Sequence, residues 1–209
     1  MTLAPASTVT VRRVAPLRTR PGRADTSHMA APPYWTVDMV RALPDDDNRY
    51  EVVHGELLVT PAPRVGHQML VTRLVTALAI YLDREPVGTV LVSPADISWG
   101  RPDVLVQPDV FVVPGRASLS LEWAEIRELS LAIEVLSPSS LRADRFTKRR
   151  LYQERAVPLY WVIDVGSQQV EVWMPDIEFP LLERERLLWH PAGAVQPFVL
   201  PLTALFRTA

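Results

Sequence analysis

Two apolar runs constrain this chain more than any other feature. Leu131 to Leu136 and Leu159 to Asp164 each read as a strand buried on both faces, and the segment between them, Leu141 to Arg155, has a helical pattern. A strand, a helix and a second strand in that order form a crossover unit, which favours parallel pairing with a right-handed connection. The turn Ser137-Pro138-Ser139-Ser140 supplies hydroxyl caps for the helix. Upstream, Val71, Leu74, Val75, Leu78 and Leu82 form one helical stripe between Arg64 and about Arg84. Strand signals follow at residues 88–93, 96–99 and 104–113, and a hairpin return follows at 170–173. Helix, three strands, helix, strand predicts an α/β fold whose sheet is sandwiched by helices.

Ahead of that core, Thr36 is placed to cap a short helix over 37–43, and residues 50–60 read as an N-terminal hairpin with Gly55 in its turn. Residues 1–33 are rich in Ala, Pro, Thr and Arg without apolar periodicity, which predicts a disordered arm; Met29 is an alternative start. The remainder, 34–209, reads as one domain, since the chain is 48% hydrophobic overall and long enough for a packed core.

Several function classes drop out on composition. There is no cysteine, which removes disulfides, thiolate zinc sites and a cysteine nucleophile, and fits a reducing cytoplasm, the expected location. The four histidines lack metal-binding spacing. No uninterrupted apolar stretch has membrane-spanning length, so no membrane partner is expected. A net charge of -2 means that any affinity for nucleic acid must come from a local patch.

Chemistry is concentrated around the single lysine. Of 22 basic residues only Lys148 is not an arginine, and an ammonium, unlike a guanidinium, is compact and readily shifts its pKa. On the predicted helix it shares a face with Asp144, Leu151 and Tyr152, the face expected to pack on the sheet. Glu134 interrupts an apolar strand, where an ionised carboxylate requires a compensating cation or metal. Asp109 opens a second apolar run, 110–113. If the two strands are neighbours, both carboxylates converge and can share a hard divalent cation such as Mg²⁺. Two carboxylates, a divalent ion and an ammonium suit phosphodiester cleavage. The competing arrangement is a purely structural network pairing Asp144 or Glu134 with Lys148 or an arginine.

The segments 50–57, 107–110 and 133–140, then Lys148 with Tyr152, then 157–164, together resemble the Uma-two family of restriction endonucleases, within the PD-(D/E)XK nuclease superfamily. The resemblance covers about residues 35–205. It implies a restriction-endonuclease-like core with a mixed β-sheet flanked by helices. It also implies metal binding by Asp109 and Glu134, catalysis by Asp109, Glu134 and Lys148, Mg²⁺ or Mn²⁺ as cofactor, and DNA as substrate. Two departures stand out. Leu136 occupies the place where the superfamily usually carries its lysine, so Lys148 must reach the same point from the next helix. His54 stands where the hairpin usually has Asp or Asn.

Other residues carry less weight. Glu51 could complete a metal shell, although a glutamate in a half-exposed hairpin is usually solvated. Asp96 could be a supporting acid or a turn former, and Asp103 repeats the local pattern of Asp109 without the long apolar run. Tyr152 could orient Lys148, His67 could approach phosphate, and Arg142, Arg145, Arg149 and Arg150 could track a nucleic-acid backbone. The leading expectation is a Mg²⁺-dependent endodeoxyribonuclease. The alternatives are a catalytically inactive nucleic-acid-binding protein of the same fold and an oligomeric scaffold, with a homodimer as its simplest state.

Overall fold

The computed structural model describes residues 33–117 and 120–207; the arm expected over residues 1–33 lies, but for Pro33, outside them. Thr36 caps helix α1 (Val37–Arg41), its Oγ1 accepting from the Met39 amide at 3.3 Å. Strands β1 (Asn48–Val53) and β2 (Glu56–Pro61) follow as an antiparallel hairpin. Its two turn residues, His54 and Gly55, both have positive φ (51° and 80°), the requirement of a tight hairpin turn. Histidine tolerates that conformation, but Gly55 is also sterically fixed: a Cβ there would lie 2.3 Å from the Tyr34 ring.

Helix α2 (Val65–Arg84) buries Leu70, Leu74, Leu78 and Leu82, a row one turn apart, close to the stripe expected from the sequence. It is long and apolar enough to cross a membrane by length and composition, yet its leucine row packs into the core of this fold. Strand β3 (Gly88–Val92) leads to the first departure from expectation. The segment 96–99 forms only one bridge, Ile97 to Val106, and the strand expected over 104–113 is two: β4 (Val104–Leu105) and β5 (Val110–Pro114). Pro108 has no amide to donate, and at Gln107-Pro108 the chain leaves one sheet for another. β4 pairs with β1, whereas β5 pairs with β3 and with β6 (Leu131–Val135).

The predicted second helix has a π-helical first part, Ala143–Lys148, continuing as α3 (Arg149–Glu154). Strands β7 (Tyr160–Asp164), β8 (Gln169–Trp173) and β9 (Leu181–Glu183) complete a six-stranded sheet in the order β3-β5-β6-β7-β8-β9. Only β6 and β7, the crossover pair, run parallel, so the sheet is mixed. A hairpin of β10 (Arg186–Trp189) and β11 (Phe198–Pro201) and a last turn, α4 (Leu202–Leu205), were not expected, because these elements are short and half-exposed.

Strand alternation divides the core. Val110, Val112, Leu131, Ile133 and Val135 meet the α2 leucines on one face of the sheet. On the other face, Phe111, Ala132, Tyr160 and Val162 meet Leu151, Tyr152 and Val53. Glu134 belongs by alternation to this second face, under the crossover helix.

Leu74 is fully buried in the α2 row. Leu74→Ala should cost about 2–5 kcal/mol, read as a lower urea midpoint at unchanged m-value; an unaltered midpoint would contradict the packing described.

Candidate active site

Three elements bring acids to one point. β5 and β6 are antiparallel with Val110 opposite Ile133, and one step further along that register sets Asp109 opposite Glu134. Opposed residues share a face, and the Asp109 Oδ2 accepts from the Val135 amide at 2.9 Å. Alternation along β1 puts Arg49, Glu51 and Val53 on one face, which looks toward the same place. The backbone amide of Gln107, at the sheet switch, donates to Glu51 Oε1 at 2.7 Å.

The crossover helix delivers Lys148 into this group. Its Nζ lies 2.8 Å from Glu51 Oε2, 3.1 Å from Glu134 Oε1 and 3.2 Å from Asp144 Oδ1, with every partner buried. Only the contact to Glu134 has hydrogen-bond geometry; Glu51 and Asp144 are held by charge and proximity. The hydroxyl of Tyr152 donates to the same Glu134 oxygen at 3.3 Å, and that of Tyr160 donates to the Asp144 carbonyl. Lys148 and Glu134 therefore meet as expected, and Asp144 joins them. Glu51, expected to be half-exposed and solvated, is instead 1% exposed and makes the shortest contact to the ammonium.

Asp109 does not touch Lys148. Both Nη atoms of Arg49 donate to its Oδ1 at 3.1 Å, and His67 Nε2 lies 2.9 Å from its Oδ2. His67, considered in the sequence only for an approach to phosphate, has a largely buried side chain that braces Asp109. Arg49 was not singled out in the sequence, although the period-two pattern Arg49, Glu51, Val53 carries the signal. The look-alike Asp103 lies elsewhere, bonded to Arg101 and Tyr34. Asp96 pairs with Arg41 and the Gln107 amide group.

Asp109, Glu134, Asp144, Lys148 and Arg49 line one cavity of about 420 Å³. A second, of about 630 Å³, lies beyond the Arg49, His67 and Asp109 side chains and is walled by Arg41, Asp96 and the acidic turn of Asp45 to Asp47. Among the four helix arginines, Arg145 is bound to Asp164 and Glu171, and Arg149 stacks on Trp173, leaving Arg142 and Arg150 exposed.

Electrostatics set the site's chemistry. Burial disfavours a charged Asp109, but His67 and Arg49 outweigh it and bring the carboxyl to about 2. Burial pushes Glu134 well above the usual carboxylate range against the pull of Lys148, with Asp144, Asp109 and Glu51 adding to the rise. Asp144 is raised for the same first reason. Burial opposes the ammonium of Lys148, yet Glu134, Glu51 and Asp144 together hold its pKa well above the ordinary lysine value.

Four buried carboxylates, Glu51, Asp109, Glu134 and Asp144, face two cations, Lys148 and Arg49, with His67 set aside; were all four acids ionised together, they would exceed the cations by two charges. A divalent cation matches that excess. Among the described residues, no three His, Asp or Glu side chains form a ready cage. Two carboxylates on an open cavity suit a hard ion that keeps water and takes substrate oxygens, as Mg²⁺ does, more than a fully enclosed structural metal. Asp109 and Glu134 are the two acids that paired strands set opposite each other on that cavity.

A raised folded-state pKa stabilises below the group's ordinary value and loses that stabilisation as pH rises through the folded value. In the window above their ordinary carboxylate values, Glu134 and Asp144 act in this sense, while Asp109, held low, stabilises above its own ordinary value and loses that only as pH falls toward about 2. In chelator, the melting temperature should therefore fall by a few degrees across that window, and Glu134→Gln should flatten the fall. An equal slope in both proteins would contradict the assigned charge state.

No curated protein matches the chain. A crystal structure from Anabaena variabilis, of "a putative nuclease belonging to DUF820", superposes with a TM-score of 0.66 at 23% identity, covering 82% of this chain and 97% of that one. That likeness shows a shared nuclease-like α/β fold. The sequence profile of the Uma2 family, described as "Putative restriction endonuclease", matches residues 32–194. This span covers most of the chain, including Glu51, Asp109, Glu134 and Lys148, and the protein belongs to the Uma2 family of restriction-endonuclease-like proteins.

Proposed function

We propose that this protein is a Mg²⁺-dependent endonuclease, with Mn²⁺ able to substitute, that hydrolyses phosphodiester bonds in DNA. The observation that carries the reading is the placement of Asp109 opposite Glu134, with Lys148 on Glu134, along one open cavity.

A bound divalent ion supplies Lewis-acid polarisation of a phosphoryl oxygen and a more acidic water. The chain's own residues prepare its place. Arg49 and His67 keep Asp109 ionised and fixed in place beside Glu134. Lys148 and Tyr152 fix one oxygen of Glu134, and the permanent positive charge of Lys148 opposes the negative charge that builds on the phosphorus centre during displacement. Glu51 and Asp144 hold the ammonium from the other sides. DNA as substrate agrees with the family, and the exposed Arg142 and Arg150 offer contacts to a backbone.

The test is cleavage of supercoiled plasmid and single-stranded DNA in Mg²⁺ and in chelator. Wild-type protein should nick in Mg²⁺ only, while Asp109→Asn and Glu134→Gln should each lose on the order of a hundredfold or more, with folded structure verified by melting. Absence of metal-dependent cutting on every DNA form, or variants as active as wild type, would defeat the reading.

A further inference from the structure

Three basic side chains besides His67 line the cavity that holds Asp109 and Glu134: Arg49, Arg64 and Lys148. They differ in what they can offer a phosphate. Lys148 is 2% exposed and enclosed by three carboxylates within 3.2 Å, so it cannot reach a phosphoryl oxygen without giving up a partner. Arg64 is exposed at the start of α2 and has no ion pair among the described residues, so it would lose the full entropy of ordering on contact. His67 is committed to Asp109 through Nε2, and its Nδ1 is buried.

Arg49 is different because only one edge of its guanidinium is used. Nη1 and Nη2 both donate to Asp109 Oδ1, and Nη1 also donates to the Gln107 carbonyl at 3.0 Å, with a longer contact to Ser93. These bonds fix the plane of the group. The opposite edge, formed by Nε–H and the second hydrogen of Nη2, has no partner among the described residues, and neither nitrogen is among the buried atoms left without one. That edge carries two parallel N–H bonds, the geometry that matches two oxygens of one phosphate. The side chain is 20% exposed and borders both cavities.

We infer that Arg49 is the residue that grips the substrate phosphate: its Asp109-bound edge fixes it in place, and its free Nε–Nη2 edge forms a bidentate contact to the non-bridging oxygens of the scissile phosphodiester. This rests on the phosphodiesterase reading above and divides the work between the two buried cations. Lys148 organises the carboxylates and contributes charge; Arg49 touches the substrate. Because the same arginine pairs with Asp109, the phosphate is held beside the acid assigned to the metal. The guanidinium is prepaid in orientation, so its contact can strengthen as charge accumulates on the phosphate oxygens.

Two variants test this. Arg49→Lys keeps the charge beside Asp109 but loses the two-pronged edge; Arg49→Gln loses both. Each is first checked by melting, then measured for Mg²⁺-dependent cleavage of a short duplex and, in chelator, for binding of that duplex across a salt series. Arg49→Lys should keep KM within a few-fold while kcat falls on the order of a hundredfold. Arg49→Gln should also flatten the slope of log affinity against log salt by about one. A phosphorothioate in place of the scissile phosphate should slow wild type more than it slows Arg49→Lys, since the variant has already lost the contact that sulfur disturbs.

If Arg49→Lys cleaves at the wild-type rate, the inference fails. It also fails if kcat drops while the Arg49→Gln salt slope and the sulfur effect stay as in wild type, because the arginine then only positions Asp109. If wild-type protein cuts no DNA, the catalytic reading falls by itself. The salt slope still decides the phosphate contact: a loss of about one supports it, and no loss overturns it.

Discussion

The site depends on burying one ammonium among three carboxylates that come from different parts of the chain. Glu51 arrives on β1, Glu134 on β6, and Asp144 on the π-helical turn that also carries Lys148. Desolvating these charges is costly, and the interaction is tolerable only because each is held close to an opposite one. Removing the lysine would strand three acids in the interior. The hairpin, the central strand and the crossover helix are thereby tied to one another by charge as well as by packing, and Tyr152 and Tyr160 link the same group to the hydrophobic layer.

The sheet switch at Gln107-Pro108 is the second structural condition. Before it, the backbone belongs with β1 and the Gln107 amide anchors Glu51; after it, Asp109 enters the large sheet opposite Glu134. A continuous strand through this segment could pair with only one of the two sheets on that edge. The break therefore joins the two halves of the acid cluster. It also places the Gln107 carbonyl where it fixes Arg49, so a single interruption positions both an anion and a cation of the cavity.

Much of the architecture was legible in the sequence. The runs 131–136 and 159–164 specified a parallel pair because a helix lies between them, and the observed pairing of Glu134 with Val162 in parallel register follows. Alternation assigned Glu134 to the face opposite Leu131, Ile133 and Val135, and helical spacing assigned Lys148 to the side of Asp144, Leu151 and Tyr152; those residues are buried together. The β9–β11 region was not legible. Its strands are three or four residues long and only partly buried, too short to impose a period.

Periodicity is a local property, so the sequence by itself determined which side chains share a face: Glu134 apart from the α2 side, Lys148 with Asp144, and, had the β1 pattern been followed, Arg49 with Glu51. Which faces meet is a long-range property, set by sheet order and by the Gln107-Pro108 switch. Only the tertiary structure decided that Glu51 would be buried on Lys148, that His67 and Arg49 would hold Asp109, and that Asp109 would face Glu134 across paired strands. The reason is that the partners lie 14 to 97 residues apart, as Glu134 is from Lys148 and Glu51 from Lys148, and no spacing rule within one element can report a contact made between several.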